Sequence, residues 1–168
     1  STHSSTRERL KFYDEIKNLI EGLKINSILD LACGLNPLAL ANKKFLYYAT
    51  DIREDELKII NRFFEKNKIK GKTFFHDLRE GSKDLPSADL CLILKTLDIL
   101  GNKKYEITED LIKNLKAKYL LISFSTRKLS GKPMNFPKRK WFENILTRLN
   151  SKYKIINSEN EIFYLISK

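Results

Sequence analysis

Two carboxylates and one glycine stand at the ends of three successive short apolar runs. The first run leads into Asp30-Leu31-Ala32-Cys33-Gly34-Leu35-Asn36-Pro37, which holds a single glycine. Asp51 closes the second run, 17 residues after Gly34, and Asp77 closes the third. In an open α/β sheet, ligands bind beyond the carboxyl ends of the strands, where the first turn meets the next helix. A dinucleotide site wants three glycines there, so that a pyrophosphate can reach the helix N-terminus. One glycine, followed by a Pro37 that has no N–H to offer, disfavours that ligand. S-adenosylmethionine has no phosphate and needs only a close backbone approach to its amino-acid part. An acid at Asp51 can accept both ribose hydroxyls, and Asp77 or its neighbouring backbone can meet the adenine edge. A lone acid at a strand end is usually a loop residue or a helix cap. Three consecutive strands that each deliver a fitting group are more specific.

The elements that must position these groups alternate. Ser27–Ala32, Phe45–Ile52, Lys72–Leu78, Ala88–Leu97 and Ala117–Thr126 are short apolar runs, the pattern of parallel strands covered on both faces. Between them, Leu10, Tyr13, Ile16, Ile20 and Leu23 mark an amphipathic helix ending near Gly22. Leu57, Ile60, Phe63 and Phe64 mark a second, and Trp141, Phe142, Ile145, Leu146 and Leu149 another, with a shorter helix over Thr108–Leu115. The tail reads as a hairpin, Tyr153–Ser158 and Glu161–Ser167. This order predicts a doubly wound α/β sheet, mostly parallel, with an antiparallel C-terminal hairpin. With 168 residues and no linker or repeat, a single domain over 1–168 is expected, 1–24 as a cofactor-lid segment and helix before a core over 25–168.

Charge and cysteine usage narrow the class. No apolar run approaches the roughly 18 to 20 residues that span a bilayer, and the opening STHSSTRERL has no apolar segment, so neither a membrane protein nor a secretory signal is expected. Cys33 and Cys91 lie inside apolar stretches, which reads as reduced thiols of a cytoplasmic protein. With two histidines and no CxxC, a metal site is not expected. The net charge of +11 is concentrated: Arg127–Lys154 carries nine bases against one acid, Glu143. Either this is a solvated face or it faces phosphates, and the near absence of acids favours the latter as much as the former. Following the fifth strand, the segment should emerge beside the cofactor mouth, where Arg127, Lys128, Lys132, Lys138, Arg139 and Lys140 could hold RNA phosphates.

Four segments together carry a resemblance: His3-Ser4-Ser5-Thr6-Arg7-Glu8-Arg9, LDLACGLNPLAL at Leu29–Leu40, Lys95-Thr96-Leu97, and Ser123-Phe124-Ser125-Thr126-Arg127-Lys128-Leu129. From His3 to about Phe142 the chain resembles the aminoglycoside-resistance 16S ribosomal RNA methyltransferases, which methylate a guanine N7 in the decoding region of the small subunit. The resemblance implies a Rossmann-like class I methyltransferase fold and S-adenosylmethionine as cofactor. It implies that His3, Ser4, Ser5 and Arg9 lie over the cofactor, Arg9 pairing with the methionine carboxylate. It assigns Ala32 and Gly34 to the methionine moiety, Asp51 with Ile52 to the ribose, Asp77 and Leu78 to the adenine, and Leu94 to the far wall. Two positions depart from the family pattern: Asp98 stands where T-L-P is usual, and an expected glutamine falls at about Lys103. The family also carries a helical N-terminal region that helps dock on the ribosomal subunit, ahead of where this sequence opens.

Guanine N7 carries an in-plane lone pair and needs no deprotonation, so no catalytic base is required and none is assigned. Methylation of an exocyclic amine usually brings Asn/Asp-Pro-Pro-aromatic after the fourth strand, where this chain reads KTLD. Cytosine C5 chemistry needs a nucleophilic cysteine, and neither Cys33 nor Cys91 is placed for it. The resemblance implies guanine-N7 methylation of 16S rRNA, as RNA or in the 30S subunit, and a monomer is expected. Methylation of another RNA, a small molecule or a protein, or RNA binding around a vestigial cofactor pocket, remain the alternatives.

Overall fold

A computed structural model describes the backbone of residues 2–168, with side chains from Arg7 onward. The chain runs α1 (Thr2–Leu23), β1 (Ser27–Leu31), α2 (Pro37–Leu40), β2 (Leu46–Asp51), α3 (Glu54–Lys66), β3 (Gly71–Phe75), β4 (Ala88–Leu94), α4 (Lys104–Asn114), β5 (Ala117–Ser125), α5 (Lys140–Arg148), β6 (Lys152–Asn157) and β7 (Glu161–Ser167). Two 3-10 segments, Leu78–Glu80 and Leu97–Lys103, follow β3 and β4. The seven strands form one sheet in the order β3-β2-β1-β4-β5-β7-β6. Pairing is parallel from β3 through β5, and β7 lies antiparallel between β5 and β6.

Alternating side chains feed two cores, one on each face of the sheet. In β4, Leu90, Leu92 and Leu94 pack with Phe12, Ile16 and Ile20 of α1 and with Leu57, Ile60 and Phe64 of α3. Cys91 and Ile93 point the other way, towards Ile107, Leu111 and Ile112 of α4 and Phe142, Ile145 and Leu146 of α5. Period-2 alternation over strands buried on both sides is what makes each run apolar throughout. On the first face β3 lies so close to α3 that a Cβ on Gly71 would come within 2.5 Å of the Phe64 ring.

The architecture matches the sequence expectation, with three local corrections. From Thr2 the opening segment is continuous with the first helix, 22 residues in all. The third strand stops at Phe75, short of Asp77. The fourth stops at Leu94, because Lys95 takes a left-handed conformation (φ 59°) that turns the chain into the second 3-10 segment. Helix α4 begins at Lys104 rather than Thr108, since its first turn is polar and shows no apolar period. Among the described residues no helix is long and apolar enough to cross a membrane.

Candidate active site

Strand order reverses direction between β1 and β4, and a crevice opens there beyond the carboxyl ends of the strands. Its floor is the turn after β1. Ala32 (φ 50°) and Gly34 (φ 53°) both take left-handed conformations, the first a mild strain held by surrounding bonds. Cys33 N–H donates to Thr50 O (2.9 Å) and Gly34 N–H to Asp51 Oδ2 (2.8 Å). Asp51 Oδ1 accepts from the N–H groups of Ile52 (2.7 Å) and Arg53 (3.1 Å). A carboxylate offers about four acceptor positions. Three are filled by backbone, which locks the side chain and leaves one direction on Oδ2. Asp51 can thus serve one ribose hydroxyl strongly rather than two equally. A Cβ on Gly34 would meet no atom within 4 Å, so the space over this peptide is open to a ligand.

The same turn is buttressed from below and from the side. Tyr13 of α1 donates to Asn36 Oδ1 (2.7 Å), and Tyr47 donates to Asp30 Oδ2 (2.5 Å) beneath the turn. Asp30 is fully buried, and desolvation pushes its carboxyl up to about 7 against the opposing Tyr47 hydrogen bond. Burial also drives the thiols of Cys33 and Cys91 far up, which keeps both from acting as nucleophiles.

Above the floor lies a cavity of about 530 Å³. Five residues expected from the sequence line it: Ala32, Asp51, Ile52, Asp77 and Leu78. Asp77 is also tied to its own turn. Its carboxylate caps the 3-10 turn by accepting from Arg79 N–H (3.0 Å) and pairs with the Arg79 guanidinium (2.8 Å), whose hydrogen bonds hold it below the usual carboxylate range. The N–H of Leu78, first in that turn, has no intrahelical acceptor. The remaining wall was not anticipated: His76, Arg79, Thr96, Ile99 and Leu100, with Lys103 at the position flagged as a departure. Nothing in the apolar run through Leu97 signals that its last residues leave the sheet to form this wall.

Other expected cofactor residues lie elsewhere. Gly34 touches the cavity only through its bond to Asp51. Leu94 is buried in the core facing α1 and lines no wall. Arg9 borders a second hollow of about 170 Å³ with Phe12, Lys95, Asn160 and Glu161. The side chains of His3, Ser4 and Ser5 lie outside the described residues. The two hollows are adjacent in the chain, since Lys95 lines one and Thr96 the other. In the second, Lys95 Nζ pairs with buried Glu161 (2.9 Å) and sits 4.1 Å from the Phe12 ring centre. Burial pushes the Glu161 carboxyl up to about 7, with Lys95 opposing the shift.

The basic segment divides in two. Lys128, Lys132, Lys138 and Lys140 are exposed and available to phosphates. Arg127 is half-buried, its guanidinium bound to Asn160 Oδ1 and Gly131 O. Arg139 is buried, with only 10% of its side chain exposed, and pairs with Asp98 (2.8 Å). With four of its five N–H donors spent on internal acceptors and its side chain nearly enclosed, Arg139 is turned away from a phosphate, while Arg127 spends two donors internally.

The cavity's own atoms fit S-adenosylmethionine. Asp51 keeps one acceptor direction, and the buried Thr96 Oγ1 on the wall has no partner among the described residues. Apolar Ile52, Leu78 and Leu100 offer a slot for a planar base. Polar atoms left unpaired beside an apolar slot fit a nucleoside ligand.

Similarity to known proteins follows the same lines. A 16S rRNA (guanine(1405)-N(7))-methyltransferase of Frankia casuarinae is 32% identical over 133 residues, 76% of this chain and 47% of that protein. A protein of the same description from Serratia marcescens is 31% identical over 177 residues, 100% of this chain and 68% of its own length. The chain thus spans about half to two-thirds of the curated relatives it matches. Among solved structures, the 16S rRNA methyltransferase RmtF in complex with S-adenosyl-L-homocysteine superposes with a TM-score of 0.74 at 25% identity, covering 98% of this chain and 65% of that one. The ribosomal RNA methyltransferase (FmrO) family matches residues 1–153, and the chain belongs to that family.

Proposed function

We propose that this chain transfers the methyl group of S-adenosylmethionine to N7 of a guanine in 16S ribosomal RNA, acting as a cytoplasmic monomer. The observation that carries the reading is the cavity at the β1/β4 switch point, its Asp51 locked on the turn backbone, with the Lys95–Glu161 hollow beside it. Bound cofactor supplies an electrophilic methyl on a sulfonium. Asp51 holds the ribose through its remaining Oδ2 position, the Leu78 peptide and the Asp77 side chain meet the adenine, and Ala32 and Gly34 border the methionine part. We assign the acceptor base to the second hollow, with Arg9 on the rim between it and the cofactor's amino-acid end.

The step needs no proton transfer. The N7 lone pair forms the bond to carbon while the electrons of the carbon–sulfur bond return to sulfur, and the positive charge passes to the purine. Alignment of N7, carbon and sulfur is then the main lever, and positioning can supply several of roughly 7 to 11 kcal/mol. N7 faces the deep, narrow major groove of an RNA helix, so the guanine must be extruded or its helix distorted. The exposed lysines of the basic loop hold the flanking phosphates.

Tritiated-methyl transfer from S-adenosylmethionine to 30S subunits, followed by borohydride–aniline mapping of the labelled base, tests this. Label on one guanine N7 of 16S rRNA is expected. Tight S-adenosylhomocysteine binding without any label in 30S subunits or free 16S rRNA overturns the substrate assignment.

A further inference from the structure

Arg139 is the last residue before α5 and the end of the long basic loop, yet its guanidinium faces inward. Nε and Nη2 both donate to Asp98 Oδ2, at 3.1 and 2.8 Å. Nη2 also donates to Ser125 O (2.8 Å), at the end of β5, and Nη1 to Pro137 O, within the loop itself. The guanidinium carbon lies 5.1 Å from the Phe124 ring centre, and the Arg139 N–H donates to Tyr164 Oη (3.2 Å), which donates in turn to Glu143 (2.6 Å). One side chain therefore ties its own loop to the end of β5 and to the 3-10 segment after β4. Asp98 belongs to the 3-10 segment that walls the cofactor cavity, between Thr96 and Ile99, both lining residues. Pro137 adjoins Lys138, one of the exposed bases.

The rest of the loop is held differently. Its own hydrogen bonds close on themselves, Lys128 N–H to Lys132 O and Met134 N–H to Thr126 O. Its first end is pinned through Arg127 to Asn160, in the turn between β6 and β7. The Arg139–Asp98 pair connects the other end to the cofactor wall.

We infer that the Arg139–Asp98 pair is a positioning link, which sets the exposed lysines at a fixed offset from the cofactor wall. The inference rests on the RNA-methyltransferase reading for its consequence in catalysis and on the Arg139 hydrogen bonds alone for the mechanical coupling. Without the link the lysines remain and still hold phosphate. What is lost is the registration of that phosphate against the methyl group. The signature is a fall in kcat without a fall in binding.

Asp98→Ala is the informative change, because Asp98 is 40% exposed and its loss threatens folding less than loss of buried Arg139. In single-turnover methyl transfer to 30S subunits, at least a tenfold drop in rate is expected. Affinities for S-adenosylhomocysteine and for 30S subunits, and the salt slope of the latter, should stay within twofold. The exchanged pair Asp98→Arg with Arg139→Asp should recover part of the rate. An unchanged rate overturns the link, and so does a rate loss that follows weakened S-adenosylhomocysteine binding, which would place Asp98 in the cofactor pocket instead. Hydrogen exchange of the ligand-free protein supplies the second readout. Asp98→Ala should speed exchange both in residues 97–103 and at the Met134 amide, some 36 residues away. Unaltered exchange at Met134 overturns the coupling even if wild-type protein methylates nothing, so failure of the link and failure of the substrate reading remain distinguishable.

Discussion

The two halves of the carboxyl edge are built on opposite plans. On the β1–β2 side, polar groups are committed before any ligand arrives: Asp51 spends three acceptor positions on backbone N–H groups, and Asp30 is sealed beneath it. On the β5–α5 side the groups offered to a partner are lysines on long, solvated stems, fixed through a few anchoring bonds at the two ends of their loop. A small rigid ligand rewards preorganisation, because each prealigned donor or acceptor avoids an ordering cost at binding. A phosphodiester backbone rewards reach and charge, since its attraction is long-ranged and tolerant of geometry. The contrast predicts that the first half responds to single substitutions and the second to sums of them.

The largest effect should come from Asp30. Its folded carboxyl lies near 7, well above that of an unfolded aspartate. Between about pH 4 and 7 the native state keeps a proton that the unfolded chain has released. Stability therefore falls as pH rises through that window and levels off above it. The full cost is on the order of 4 kcal/mol. Asp30→Asn mimics the protonated form, so its urea-unfolding free energy should match wild type near pH 4 and exceed it by a few kcal/mol at pH 8. Glu161 pulls in the same direction but is common to both proteins. A difference between the two that does not vary with pH would show that Asp30 stays ionised in the folded protein.

Next comes Asp51→Ala, which removes three backbone bonds and the proposed ribose contact together. S-adenosylhomocysteine affinity by calorimetry should fall by about 1 to 3 kcal/mol. Retained affinity would mean that the locked carboxylate serves the turn alone. On the other half, no single lysine should matter much. Replacing Lys128, Lys132, Lys138 and Lys140 together by Ala should lower the log–log salt slope of RNA binding by nearly 3, at about 0.7 per single-strand phosphate contact. S-adenosylhomocysteine binding should be untouched. If the slope survives, those lysines are a solvated face. Smallest of all, Lys11→Ala breaks the exposed pair with Glu159 and should leave the melting temperature unchanged within error.

The same contrast governs what could be read from sequence. The buried half was legible because strand ends dictate where carboxylates go, and Gly34 and Asp51 do meet across the first two strands. Asp77 shows the limit. An acid two residues past a strand and an acid ending one look alike, and only the Arg79 pairing reveals the cap. Ile99 and Leu100 were hidden because an apolar run does not announce that Lys95 turns left-handed. Arg139 is illegible for a different reason. Its partner Asp98 lies 41 residues away, and nothing local in a run of bases marks one of them as internal. Counting charge along a segment overstates what a partner meets, by the number of guanidiniums the fold has already used.

The sheet also ends. With strands in the order β3-β2-β1-β4-β5-β7-β6, β3 and β6 each present, among the described residues, an unpaired row of backbone donors and acceptors, a template for another copy of the chain. Lys72 is exposed on β3, and Lys152 and Lys154 are exposed on β6. A second molecule adding its strand to β6 would bring rows of ammonium groups together at the roughly 4.8 Å spacing of neighbouring strands, which like charges resist. Two of the bases that make the C-terminal region so positive therefore also oppose self-pairing at a sheet edge by like-charge repulsion, and neutralising them should cost solubility before it costs activity.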